Sequence, residues 1–163
     1  MSTDTIAAIA TALSNSGISI IRISGKDSLD IISRIFKTKS KLEPNKIVYG
    51  KIYKDDDILD TVLVSYFKAS KSYTGEDICE INCHGGNEIT REILELVLEN
   101  GARLATPGEF SKRAFINGKM DLAQSEAVIN LINAKTKTES RVASKQLEGN
   151  LSSKIKELRE DLI

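Results

Sequence analysis

The sequence is poor in the residues that build disulfide frameworks and metal sites. It has two cysteines and one histidine among 163 residues. Cys79 and Cys83 stand four residues apart, so on one extended strand they share a face but lie roughly 13 Å apart, too far for a disulfide. With His84 as the only histidine, the spacing matches no common zinc pattern. We therefore predict no metal site, and we expect both thiols to be small apolar fillers on a buried face.

An excess of charge of one sign and long apolar runs are also lacking. The 23 basic side chains balance the 23 acidic ones, so the whole chain has no net attraction for nucleic acid or an anionic membrane, and any RNA contact must be local. No apolar run approaches the ~20 residues of a membrane span, and the N-terminus lacks the layout of a signal peptide. These absences predict a globular, cytoplasmic protein without a membrane partner.

Strand patterns and helix patterns alternate through the first two thirds of the chain. Apolar runs rich in β-branched residues predict strands at residues 5–11 and 18–24, a hairpin of 46–53 with 58–67, and a strand at 73–84. Asp27 and Asn87 are expected to cap helices, the first including Phe36 in its apolar stripe and the second ending at Asn100 and Gly101. The pattern predicts an α+β fold with a mixed sheet and packed helices.

The last third of the chain has only helix patterns. Thr106 and Glu109 form a predicted capping box with Pro107 at the first helical position, and Asp121 with Gln124 forms another. From residue 134 onward, apolar residues recur at helical spacing, namely Val142, Leu147, Leu151, Ile155, Leu158 and Leu162. Because this helix pattern stops without a cap, we expect the sequence to be a fragment of a larger helical domain.

Two charged residues stand inside apolar strands and are candidate ligand contacts. An ionised Glu80 in such a place needs a partner, which is either a ring edge with two N–H donors, as in a pterin or purine, or water at an edge strand. The guanidinium of Arg22 needs a planar acceptor, and pairing with Glu80 or Glu109 is the structural alternative. Lys119, considered alone, is typical of a solvated loop lysine.

Several other patterns point away from catalysis in these residues. The segment Ser24-Gly25-Lys26 fails as a P-loop because Ile20 and Asp27 occupy required positions, so we recognise no nucleotide hydrolase here. No nucleophile constellation surrounds His84, and we expect it in a loop or at a helix start. A basic set at helical spacing could contact RNA but is more typical of a solvated face, and it comprises Lys135, Lys137, Arg141 and Lys145.

Five segments, in order along the chain, carry a family resemblance. Residues 4–11, 20–25, 73–86, 106–115 and 117–127 are similar to motifs of the MnmE (TrmE) family of tRNA modification GTPases. The resemblance implies an N-terminal tetrahydrofolate-binding and dimerisation domain at residues 1–118 and the beginning of the central helical domain at 119–163. It also implies a fold akin to the tetrahydrofolate-binding fold of one-carbon transferases, followed by an all-α segment.

The resemblance implies a function as well. Arg22, Glu80 and Lys119 match the family's folate contacts, and the ligand would be 5-formyl- or methylene-tetrahydrofolate. Members of the family are homodimers that work with the flavoprotein MnmG (GidA) to install a carboxymethylaminomethyl group on the wobble uridine of tRNA. GTP, magnesium and potassium belong to the family's G domain. By this resemblance the full-length protein is a GTP hydrolase, and the present part is a folate carrier rather than a catalyst.

One segment departs from the family pattern. Where the family usually has a loop rich in glycine and proline, residues 12–17 read Ala-Leu-Ser-Asn-Ser-Gly. Glycine allows close approach of the backbone to a ligand, so its replacement could weaken folate binding. An alternative function is therefore an assembly module that dimerises and docks MnmG, with a weak or vestigial folate pocket.

Overall fold

A computed structural model describes residues 4–149 and 160 of the chain. The described part divides after Phe110 into two compact units. The first unit contains β1 (Ile6–Ile9), β2 (Ser16–Ser24), α1 (Ser28–Ile35), β3 (Phe36–Lys37), β4 (Ile47–Lys54), β5 (Asp57–Phe67), β6 (Ile78–Gly85), α2 (Asn87–Glu99) and β7 (Arg103–Leu104). The helices α3 (Glu109–Ile116), α4 (Leu122–Asn133) and α5 (Lys137–Leu147) follow. The predicted α+β layout is confirmed.

The strands of the first unit form one sheet in the order β3-β4-β5-β6-β2-β1-β7. Neighbouring strands are antiparallel, except that β1 and β7 are parallel, so the sheet is mixed as predicted. The predicted hairpin is β4 and β5, and Asp55 takes a left-handed conformation with φ of 53° in its turn. In this order β6 has hydrogen-bonded neighbours on both sides.

The core lies between one face of the sheet and the helices α1 and α2. Cys79, Ile81 and Cys83 alternate with polar residues along β6, and all three are buried against the helices. The apolar stripe of α2, which includes Ile93 and Val97, packs on the same face. Burial raises the pKa of the Cys79 thiol to about 12, and burial also raises the pKa of Cys83. Both cysteines are therefore the protonated, apolar fillers that the sequence predicted.

Two predicted helix caps are wrong, although the helices begin where expected. The carboxylate of Asp27 accepts a hydrogen bond from the Thr5 hydroxyl at 3.1 Å and makes no cap bond to α1. Asn87 is the first residue of α2 rather than its cap, which is Gly86. In the described structure the side-chain oxygen of Asn87 is buried without a hydrogen-bond partner. The bond to Thr5, which is distant in sequence, has thus replaced the local cap bond expected of the Asp27 carboxylate.

Several predicted boundaries also move. The strand predicted at 73–84 begins only at Ile78, because residues 73–77 form a loop that contains Gly75 at φ of 78°. Helix α1 stops at Ile35, and Phe36 begins β3 instead of completing the helix stripe. The loop predicted at residues 12–17 lies instead at residues 10–15, since β1 ends at Ile9 and β2 already starts at Ser16. The two-residue strand β7 was not predicted at all.

Two helices of the second unit begin at capping boxes, and of these only the box of Asp121 and Gln124 was predicted. Asp121 and Gln124 bond reciprocally at the start of α4, and Thr136 does the same with Glu139 at the start of α5. The amide of Gln124 then donates to the Leu147 carbonyl oxygen at 2.8 Å, which ties α4 to α5. The predicted apolar stripe continues through Leu151, Ile155, Leu158 and Leu162, which lie outside the described residues.

No described helix has both the length and the apolar character needed to cross a membrane.

Candidate functional site

Arg22 and Glu80, the two charged residues predicted within strands, form an ion pair. They stand directly opposite each other on β2 and β6, on the sheet face away from α1 and α2, called the far face below. The Nε and Nη2 atoms of Arg22 lie 2.8 and 2.7 Å from Oε1 of Glu80. Since β6 lies between β5 and β2, the alternative of Glu80 in water on an edge strand is wrong.

Two aromatic rings flank the guanidinium of Arg22. Its central carbon lies 5.4 Å from the ring centroid of Tyr73 and 5.6 Å from that of Phe110. The side chains of Arg22 and Glu80 are 28% and 18% exposed, so the pair is half-buried rather than solvated. The rings were not predicted from the sequence, although Tyr73 and Phe110 belong to two of the motifs that carry the family resemblance. Cation–π contact and the carboxylate together fix the guanidinium plane.

The hydrogen bonds of Glu80 are unevenly distributed over its two carboxylate oxygens. Both contacts from Arg22 go to Oε1, and within the described residues Oε2 makes no hydrogen bond. A carboxylate oxygen has room for further N–H or O–H donors. The site can therefore accept a donor from a ligand at Oε2 while Arg22 stays in place, and the two rings offer flat apolar surfaces beside it.

Glu109, the other predicted partner of Arg22, pairs elsewhere. Its two carboxylate oxygens accept from Arg103 at 2.6 and 3.1 Å, and this pairing raises the pKa of Arg103 above its ordinary value. Oε2 of Glu109 also accepts from the Thr106 backbone N–H at 2.8 Å, which is one half of the predicted capping box. The Thr106 hydroxyl donates to the same oxygen instead of capping the helix. Pro107 lies in the preceding turn, so its prediction as first helical residue is wrong.

Lys119, the third predicted contact, belongs to the second unit. Its backbone N–H donates to the Ala114 carbonyl oxygen at 2.8 Å, just after Gly118 turns the chain with φ of 70°. It therefore follows the end of α3, and its side chain is exposed. The structure brings Arg22 and Glu80 together, and the participation of Lys119 in the same site stays a prediction.

His84 lies in β6 and has a carboxylate partner that the sequence did not predict. Its Nδ1 is 2.6 Å from Oδ1 of Asp60, and its backbone N–H donates to Oδ2 of Asp60 at 2.9 Å. Asp60 is 9% exposed, whereas the His84 side chain is 72% exposed. The expected loop or helix start at His84 is therefore wrong. The signal for this pair was an acidic residue inside the apolar run of β5.

The remaining candidates have structural explanations. Gly25 takes φ of 140° at the turn from β2 to α1, where a Cβ atom would lie 2.5 Å from the Thr5 hydroxyl oxygen. That close approach, rather than phosphate binding, requires the glycine. Among residues 4–149 and 160, no three His, Cys, Asp or Glu side chains are grouped as metal ligands.

Comparison with known proteins assigns the family. The family model described as "GTP-binding protein TrmE N-terminus" matches residues 5–119, and the model "MnmE helical domain" matches residues 122–163. The chain belongs to the MnmE (TrmE) family. The family resemblance stated from the motifs is thus confirmed, and the two matches meet between α3 and α4.

Curated relatives agree with this assignment. The chain is 50% identical to the tRNA modification GTPase MnmE of Lachnoclostridium phytofermentans, with 100% of this chain and 37% of the relative aligned. It is 53% identical to the protein of that name from Alkaliphilus oremlandii (98% of the chain, 36% of the relative) and 54% identical to that from Clostridioides difficile (96% and 35%). The chain thus spans little more than a third of these relatives.

Proposed function

We propose that this chain is the folate-binding, dimerising N-terminal part of a tRNA modification GTPase. The observation that best supports it is the half-buried Arg22–Glu80 pair, whose guanidinium contacts the rings of Tyr73 and Phe110. The names of the curated relatives supply the tRNA modification and the GTPase activity. In this proposal the whole protein acts with the flavoprotein MnmG on the wobble uridine of tRNA to install the carboxymethylaminomethyl group.

The residues present fit a reduced pterin ring. A pterin edge offers an amide N–H beside an exocyclic amine, and a carboxylate can accept both hydrogens. Among the described residues, Glu80 is the only acidic residue that pairs with Arg22. Its Oε1 accepts from Arg22, so its Oε2 remains available to accept a hydrogen from the pterin. Because the pair is half-buried, its hydrogen bonds are less weakened by water than those of a surface carboxylate.

Each residue has a distinct task in the proposed site. Glu80 orients the ring by its N–H edge, while Arg22 holds the Glu80 carboxylate in position and presents donors to carbonyl or anionic groups. Tyr73 and Phe110 hold the guanidinium in its plane. Lys119, which matches the third folate contact of the family, is proposed as a further cation. The bound 5-formyl- or methylene-tetrahydrofolate supplies the one-carbon unit.

The proposal extends to the fold and the rest of the protein. The mixed sheet with helices on one face is compatible with the tetrahydrofolate-binding fold of one-carbon transferases, and we assign that domain to residues 1–118 and the helical domain to 119–163. GTP, magnesium and potassium would be bound by the family's G domain. The proposed cellular location is the cytoplasm, and the proposed assembly is a homodimer.

Isothermal titration of 5-formyltetrahydrofolate into the chain tests the folate site. We expect saturable binding that Glu80→Ala weakens at least about tenfold, since hydrogen bonds to a charged group contribute about 1.5–3 kcal/mol. Glu88→Ala is the matched control, because the Glu88 side chain is 93% exposed at the start of α2. Binding that is equal in wild type and Glu80→Ala, with both variants folded by circular dichroism, would contradict the role of Glu80.

An assembly module is the second candidate function, and one feature favours it. The far face carries large apolar side chains that remain exposed. Their exposed fractions are 43% for Leu63, 63% for Ile18, 66% for Tyr49 and 67% for Ile47. Such a surface is typical of a protein–protein contact. Light scattering on the same samples separates the two functions. A folded dimer that takes up no folate would support the assembly module and contradict the folate carrier.

A further inference from the structure

A basic cleft lies at the β3–β4 edge of the sheet, separate from the Arg22–Glu80 pair. It has a volume of about 560 Å³, and the side chains that define it are Lys37, Lys39, Lys51, Tyr49 and Tyr53. None of the residues that line it in the described structure is acidic. The net charge of the whole chain is zero, so this cleft is a local concentration of positive charge.

Two lysines of the basic cleft stand at positions where their charges repel each other. Lys37 and Lys51 stand directly opposite each other across β3 and β4. Like charges at such positions destabilise a strand pair. Within the described residues neither lysine has an ion-pair partner, and the Lys37 ammonium lies instead 4.2 Å from the ring centroid of Tyr53. An anion between the two ammonium groups would relieve the repulsion.

The cleft is also preformed. The Thr38 hydroxyl donates to the Tyr49 carbonyl oxygen at 2.8 Å, and the backbone N–H of Ser40 donates to the Thr38 hydroxyl at 3.1 Å. These bonds hold the segment that carries Lys39 against β4. Tyr49 is 66% exposed, so one aromatic ring is available beside the lysines.

We propose that the basic cleft binds an unpaired segment of RNA, with the lysines on phosphates and Tyr49 stacked on a base. Lysines that follow a backbone together with exposed aromatic rings are the combination that binds single-stranded nucleic acid, whereas an acidic peptide gives the rings no base to stack on. This proposal rests on the proposed function only in taking RNA as the partner. It differs from the sequence-based alternative around α5, where Lys135 precedes the helix and Lys145 stands in its last turn.

Fluorescence anisotropy with a short labelled oligouridylate and the 163-residue chain tests the proposal. A plot of the logarithm of the binding constant against the logarithm of the salt concentration should have a slope of about −2 for three phosphate contacts. Lys37→Gln/Lys51→Gln should weaken binding about tenfold and reduce the magnitude of the slope by about 1.4, because it removes two of the three phosphate contacts. Tyr49→Leu should weaken binding about fivefold or more without changing the slope.

The control variant is Lys135→Gln/Lys145→Gln, which removes the same charge from the α5 region. It is expected to bind the oligouridylate as the wild type does, and an equal loss in this variant would overturn the cleft as the RNA site. Equal affinity for a labelled oligoglutamate peptide would overturn RNA as the partner. Absence of binding at low salt would do the same.

Two further measurements test the basic cleft without relying on a folded variant and independently of the folate proposal. In the unmodified chain, oligouridylate should protect Lys37 and Lys51 from acetylation, measured by mass spectrometry, while Lys135 stays reactive. Protection of Lys135 alone would overturn the proposal. Folate titration of Lys37→Gln/Lys51→Gln should match the wild type, so failure of RNA binding and failure of folate binding are observed separately.

Discussion

The two faces of β2, β5 and β6 differ in what they contain, although the same strands build both. On one face, Ile21, Val64 and Ile81 are fully buried against the helices. On the other face, one residue away along each strand, Arg22 and Glu80 form an ion pair that remains partly exposed. A single step along a strand therefore separates the residues that stabilise the fold from those proposed to recognise a ligand. Substitutions matched across the two faces can test that separation.

The largest expected effect is on stability at the core face. Ile81→Ala removes a fully buried side chain from a central strand and should lower the free energy of unfolding by about 2–5 kcal/mol, because it leaves a cavity. Leu63→Ala, on the far face of β5, should cost well under half as much, since Leu63 is 43% exposed. Urea denaturation followed by circular dichroism measures both. Equal losses would show that the far face is as tightly packed as the core.

The next effect is a loss of stability at alkaline pH from Cys79. Its pKa rises from 9.0 to about 12 on folding because burial disfavours the thiolate. The folded protein thus holds the proton more tightly than the unfolded chain. The contribution of the thiol is complete below about pH 9 and is lost as the pH rises towards about 12, at up to about 1.4 kcal/mol per pH unit.

Cys79→Ala isolates this contribution from the lysines and tyrosines that titrate in the same range. Urea denaturation at pH 8, 9 and 10 should give a less steep decline in the variant than in the wild type. In parallel, neither thiol should react with a disulfide reagent at pH 8 until the protein is unfolded. Parallel declines in the two proteins, or rapid reaction in the native state, would contradict a buried and protonated thiol.

Patterns of period two and 3.6 were sufficient to predict most of the first unit. The alternation along β6 placed Cys79 and Ile81 on the buried face, and the helical stripe of α2 placed Ile93 and Val97 there too. Such patterns indicate directly which side chains are buried, so the buried face of a strand or helix can be predicted from the sequence. The capping box of α4 was predicted for a related reason, because donor and acceptor are three residues apart in the chain.

Features that depend on distant partners could not be predicted in this way. The Asp27 carboxylate bonds to Thr5, 22 residues away, and so makes no side-chain bond to α1, although Asp27 holds the N-cap position. Strand β7 pairs with β1 from the other end of the unit, which a two-residue sequence pattern cannot reveal. At the site, the pairing of Arg22 with Glu80 was one of two alternatives, and only the strand register decides between them. Phe110 beside Arg22 depends on the chain path after β7.

A smaller effect is expected from the Arg22–Glu80 pair on stability. In a double-mutant cycle with Arg22→Met and Glu80→Gln, the interaction energy should be about 1 kcal/mol, because both side chains are partly exposed and water weakens the attraction. Urea denaturation of the four proteins measures it. An interaction energy this small would mean that the pair contributes little to stability, in contrast to the residues on the core face, and serves chiefly to bind the ligand.

Matched charges elsewhere provide the control for this cycle. Arg91 and Glu88 lie 3.8 Å apart on α2 and are more exposed, so their cycle should give an interaction energy near zero. An Arg22–Glu80 energy of several kcal/mol would make the pair a main contributor to stability. It would then remove the contrast between the two faces.

The smallest expected effect concerns the ring of Phe110. Phe110→Leu removes the ring face 5.6 Å from the Arg22 guanidinium and keeps an apolar side chain, so it should weaken binding of 5-formyltetrahydrofolate about two- to fivefold. Phe110→Tyr, which keeps the ring, should restore wild-type affinity, whereas a purely structural filler would not distinguish the two variants. Phe115→Leu, at an exposed phenylalanine of α3, is the control. If both leucine variants bind folate as the wild type does, the rings do not position Arg22.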